Sequence, residues 1–140
     1  QKDVFSEIIE ETLGEQCNFE TVKNLHENLT AYVDEHKDEP DPVAFDKSDV
    51  RRALEQSGVE SEHIETFSDN YDDAAGSRTS FMASNVVNTR TFEVKAPDVV
   101  IKVSPDRTDL LETRQIDGKT YLMVELTDNV EVNGINVKPL

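Results

Sequence analysis

Apolar residues recur at helical spacing in the first half of the chain and at strand spacing in the second. Val4, Phe5, Ile8, Ile9, Thr12 and Leu13 fall on one side of a helix, and Gly14 is a suitable stop for it. Asn18 can cap a second helix, with Cys17 and Val22 at the positions of a hydrophobic staple. Phe19, Val22, Leu25, His26, Leu29, Tyr32 and Val33 form the inner face of that helix, which should end near Lys37. The acids and prolines of DEPDP (38–42) then make a linker or a sharp corner. A third helix is expected from a cap at Ser48, with Val50 and Leu54 inward and Gly58 at its end. Ser61 is the expected cap of a fourth, with Ile64, Phe67 and Tyr71 inward and Gly76 closing it.

From Ser80 the period changes to two. Phe92 and Val94 alternate with polar residues, as do Val99, Ile101 and Val103, and SPDR (104–107) is turn chemistry. Asp117-Gly118 suits a type I′ hairpin turn, which sets Leu111 opposite Val124, Thr113 opposite Leu122, Glu112 opposite Met123 and Arg114 opposite Tyr121. Asn133-Gly134 repeats the device, pairing Val132 with Ile135 and Val130 with Val137. The pattern predicts an α+β fold: about four N-terminal helices packed on a C-terminal antiparallel meander of five to six strands. Residues 1–77 form an acidic helical part and residues 78–140 a β part, expected to join in one compact unit.

Charge sharpens that division. The net charge is −16, of which residues 1–77 carry −15, with 21 acids against 6 bases. Direct partners of nucleic-acid or anionic-membrane type are disfavoured, because phosphate binding needs clustered Lys and Arg. A helix-turn-helix over 48–75 fails for the same reason, since its second helix has acids and no Lys or Arg. One cysteine excludes an internal disulfide and a Cys-based zinc cluster, and it fits a reducing, cytoplasmic setting.

Few residues suggest chemistry. AAGSRTS (74–80) runs helix, glycine, extended chain, the reverse of a phosphate-binding loop, so Gly76 reads as a helix end. Cys17, His26, His36 and His63 form no HxxxH or CxxC pair. His26 shares an apolar stripe and reads as a histidine at the core boundary, His36 suits a helix C-terminus, and His63 should be exposed. His26 is too far along its helix to serve Cys17 locally as a base. DNYDDAAG (69–76) does not fit the calcium-loop register. Neither a catalytic set, a metal site nor a cofactor is therefore expected.

Two surfaces stand out. Glu7, Glu11 and Glu15 make an acidic stripe that could meet a basic partner. SRTSFMASNVVNTR (77–90) is free of acids and holds Arg78, Asn85 and Arg90, a candidate ligand or peptide groove where helices meet strands, or else a plain connecting strand.

The phrases YDDAAG, APDVVIKVSP, ETRQIDGKTYLM and VEVNGINV give the chain from Tyr71 onward a family likeness. It resembles an uncharacterised family of Gram-positive bacterial proteins, a domain of unknown function, although AAG stands where a bulkier residue is expected before the glycine. The resemblance implies a longer cytoplasmic protein in which such a segment is C-terminal, and no catalytic residue. The expected function is a non-enzymatic interaction or structural domain, binding another protein or another part of its own chain. The alternatives are a small-ligand or enzymatic domain with a site near Arg78, Asn85 and Arg90, and an acidic surface that mimics DNA or binds divalent cations.

Overall fold

Helix α1 (Lys2–Leu13) buries Phe5, Ile8, Ile9, Thr12 and Leu13, the face its spacing predicts. It stops at Gly14, whose φ of 52° suits glycine better than a residue with a side chain. These observations come from a computed structural model that describes residues 1–140. The chain divides into two compact units, Gln1–Pro105 and Asp106–Leu140. The packing boundary thus lies well past the charge boundary at residue 77.

In the first unit, α2 (Phe19–His36) starts where Asn18 accepts a hydrogen bond from the Thr21 N–H at 3.0 Å. α3 (Lys47–Gln56) and α4 (Ser61–Ala75) follow. α1 packs against α4, tied by an Asn70 to Thr12 side-chain hydrogen bond of 3.2 Å. Past the end of α1, Gln16 donates to the Gly58 carbonyl at 2.8 Å and accepts from the Glu60 N–H at 2.9 Å. A two-residue strand β1 (Ala44–Phe45) pairs with β2 (Phe81–Met82), placing Phe45 opposite Phe81. The core is aromatic at its centre: Tyr71 meets Phe67 at 5.6 Å and Phe81 at 5.7 Å, and Phe81 meets Phe5 at 5.4 Å. Phe45, Phe67 and Tyr71 are fully buried, each worth about 1.5–3 kcal/mol in transfer from water.

The single-turn helix α5 (Ala83–Val86) follows, then a hairpin of β3 (Phe92–Ala96) and β4 (Val99–Val103). The ladder puts Phe92, Val94, Ala96, Val99, Ile101 and Val103 on one face, with Glu93 opposite Lys102 on the other. Phe92 anchors the ribbon to α2 through edge contacts with Phe19 and His26.

The second unit contains β5 (Leu111–Ile116) and β6 (Lys119–Val124), then β7 (Val130–Val132) and β8 (Ile135–Val137). Both hairpins take the register that their turns predict, Leu111 against Val124 and Val132 against Ile135. The turn residues Asp117, Gly118, Asn133 and Gly134 all have positive φ, as type I′ requires.

Several expectations need correction. The strands form four separate two-stranded ribbons, not one meander. Turn chemistry specifies pairing inside each hairpin, but nothing equally local joins one hairpin to the next. The cap of α3 is Asp46, in a reciprocal capping box with Asp49, while Ser48 donates to the Asp46 carboxylate. The cap position of α4 is Glu60, served by Gln16, so Ser61 is already inside the helix. Val22 is 38% exposed although the stripe had placed it inward. Residues 77–90 are not a continuous strand but a turn, the short β2 and the single turn α5.

Candidate functional site

Gln1 holds the first candidate site together. Its side-chain oxygen accepts from the Met82 N–H at 3.1 Å and from the Asn85 amide at 2.9 Å, tying the start of α1 to the segment after β2. Asn88 then closes a turn by accepting from the backbone N–H groups of Arg90 and Thr91 at 2.9 and 3.1 Å. Between these two fixed points lies an open depression of about 510 Å³, lined by Lys2, Ser84, Asn85, Asn88, Thr89 and Arg90 among others. Of the three residues singled out in the sequence, Asn85 and Arg90 line this depression. Arg78 is exposed in the turn after α4 and does not line the depression. Lys2 and Asn88 were missed, because Lys2 is remote in sequence and Asn88 shows only as one more polar residue.

A second hollow, about 230 Å³, lies between α1 and α2 and is largely apolar, with Phe5, Ile9, Leu25 and Leu29 in its wall. Cys17, His26 and Glu10 also line it, so the fold brings a thiol, an imidazole and a carboxylate to one place. Burial and the nearby Glu10 carboxylate push the Cys17 thiol up, away from thiolate. Burial holds the His26 imidazole below its ordinary value. Its Nε2 is buried without a hydrogen-bond partner, and its ring stands edge-on to Phe92 at 5.1 Å. This is a core-boundary histidine, as its stripe predicts. His36 stacks on Tyr32 at 4.0 Å and its Nδ1 lies 2.8 Å from the Tyr32 carbonyl.

His63 is not exposed as expected. It is half-buried, close under Gly14, with its Nε2 3.9 Å from Glu62. Glu60, Glu62 and His63 have ligand atoms within 4.8 Å of one another. They sit at the first turn of α4, where the helix dipole opposes a cation. Glu7 and Glu11 are exposed on α1, and Glu15 is exposed in the 3-10 turn after Gly14, off the helical stripe.

The hairpins carry a different feature. Val130, Val132, Ile135 and Val137 share one face of the last ribbon, with Val132 54% and Ile135 67% exposed. Ile116, Tyr121 and Met123 are exposed together on one face of the ribbon before it. The residues were legible as strands, but their exposure was not, because alternation marks an apolar face without saying what covers it. No helix is long and apolar enough to cross a membrane.

No curated protein and no solved structure matches the chain. One family model does, over residues 1–135, which takes in the helices as well as the segment from Tyr71 that carried the resemblance. The chain accordingly belongs to the family described as Domain of unknown function (DUF4317).

Proposed function

We propose that this is a non-enzymatic interaction domain of a longer protein, docking onto another polypeptide through its C-terminal hairpins. The supporting observation is the last ribbon, whose apolar face leaves Val132 and Ile135 mostly in water. An isolated two-stranded hairpin is marginally stable in water, and it gains stability from a third strand or a covering surface. Both outer edges of such a ribbon also offer unpaired backbone groups to an incoming strand. The polypeptide that covers the ribbon is another part of the same protein or a separate chain.

A photo-crosslinking amino acid at Ile135, in the whole protein expressed in its native host, tests this reading. The expected result is an adduct that maps to one defined polypeptide segment and disappears on Val132→Lys. The same probe at Asn136, on the opposite face of the ribbon, should not give that adduct. Identical adducts at both positions, or none at Ile135, overturn the reading.

A further inference from the structure

We infer that the depression between the start of α1 and residues 84–90 is a binding site for a small molecule bearing a phosphoryl group. The site is independent of the hairpins. Its charge is the first argument. The chain carries −16 overall, yet Lys2 and Arg90 line one hollow in which no carboxylate takes part. Neither makes an ion pair, as Lys23, Lys37, Lys47, Arg51, Arg52 and Lys102 of the same unit do; Arg78 and Lys95 are also unpaired but do not line the hollow. Two unpaired cations facing one concavity favour an anion there, and excess acid elsewhere has not neutralised them.

The donor set points to the ligand class. Lys2 offers an ammonium, Arg90 a planar fork of N–H groups, and Ser84 and Thr89 offer hydroxyls. The Asn88 side-chain oxygen is occupied by the Arg90 and Thr91 N–H groups, which leaves its amide nitrogen free to donate. So many donors from several directions suit a tetrahedral dianion with three free oxygens better than a planar carboxylate. The volume, about 510 Å³, exceeds what inorganic phosphate needs and falls in the range of small-molecule sites. Val86 supplies apolar wall for an organic remainder. The hydrogen bonds from Met82 and Asn85 to Gln1 hold the two sides of the site in register before a ligand arrives.

The test is an amide-resolved NMR titration of the chain with glycerol 3-phosphate, with glycerol and sodium chloride as controls. At about 0.15 M salt the screening length is about 8 Å, so the distant acids are muted and the local cations are felt. Saturable shifts confined to Lys2 and residues 84–91 are expected with the phosphate ester alone. Arg90→Gln and Lys2→Gln should each weaken binding about tenfold, the usual loss for one charge-assisted contact. Arg78→Gln should leave it unchanged, and thermal melts confirm that all three variants fold. Shifts that follow chloride equally, or binding that survives both Arg90→Gln and Lys2→Gln, overturn the assignment. Vesicles containing phosphatidic acid, run alongside, separate a lipid headgroup from a soluble ester. Binding to the vesicles alone also overturns it.

Discussion

Tyr71 joins the core to the turn that leads into the proposed phosphoryl site, and Tyr71→Phe tests that junction. The ring is fully buried between Phe67 and Phe81, and its hydroxyl donates to the Thr79 carbonyl. The Thr79 hydroxyl in turn donates to the Ala75 carbonyl, so the turn after Gly76 is held from both sides. Phenylalanine keeps the ring packing and removes one neutral hydrogen bond, which costs about 1 kcal/mol. For a unit of this size that lowers Tm by roughly 4 °C. Burial, with Asp46, Asp49 and Asp72 nearby, pushes the Tyr71 hydroxyl up to about 12 from its ordinary 10. The folded protein therefore holds this proton more tightly than the unfolded chain. The stabilisation is complete below pH 10 and is lost as pH rises from 10 towards 12. A full shift would remove about 1.4 kcal/mol per pH unit, and halving it for solvent screening leaves about 0.7 kcal/mol lost at pH 11. In urea unfolding from pH 8 to pH 11, the wild-type advantage over Tyr71→Phe should start near 1 kcal/mol and shrink to about a third of that. A gap that is constant across the range would refute the buried, hydrogen-bonded hydroxyl.

Three further substitutions probe the local structure. Gln16→Ala should cost about 1–2 kcal/mol in urea unfolding, because it removes both bonds across the α3–α4 turn, whereas Ser61→Ala should stay within about 0.5 kcal/mol. Asp46→Ala should cost about 1 kcal/mol at neutral pH. Hydrogen bonds from the Asp49 N–H and the Ser48 hydroxyl hold the Asp46 carboxyl below the usual carboxylate range, so that deficit should fade as pH drops below about 4. His26→Leu should flatten the loss of stability between pH 7 and pH 5 followed by circular dichroism. The buried wild-type imidazole resists protonation that the unfolded chain accepts below its ordinary value. A wild-type curve already flat over that range would show that the ring is not held neutral.

Where one stretch of chain dictates its own geometry, the sequence was readable. The two hairpin registers followed from Asp117-Gly118 and Asn133-Gly134, the buried face of α1 from its spacing, and the end of α4 from Gly76. Errors arose where two nearby residues could do the same job. Asp46 and Ser48 are both good caps, and a short Asp49 in place of Glu disguised the capping box. Contacts distant in sequence were missed altogether. Gln16 supplying a bond at Glu60, and Cys17 meeting His26 across a hollow, depend on how α1 lies against its neighbours. Arg78 was grouped with Asn85 and Arg90 by an acid-free stretch, but composition does not say which side of a turn a side chain takes.

The charge pattern narrows what the exposed ribbons can meet. Between Phe92 and Val103, Glu93 and Asp98 are balanced by Lys95 and Lys102. Between Leu111 and Val124, Glu112 and Asp117 are balanced by Arg114 and Lys119. Each of these hairpins is neutral, while residues 1–77 carry −15. Two copies brought edge to edge through a ribbon would each bring a net −16, and that repulsion acts before short-range strand pairing can form. A neutral or basic polypeptide meets no such barrier and gains the same apolar burial. On this argument the acidic helices oppose self-pairing of open edges while these two hairpins themselves carry no net charge, a role that edge lysines or prolines fill in other sheets. Raising the salt concentration should then favour association between copies and leave a neutral partner's affinity nearly unchanged, a contrast that sedimentation velocity can measure.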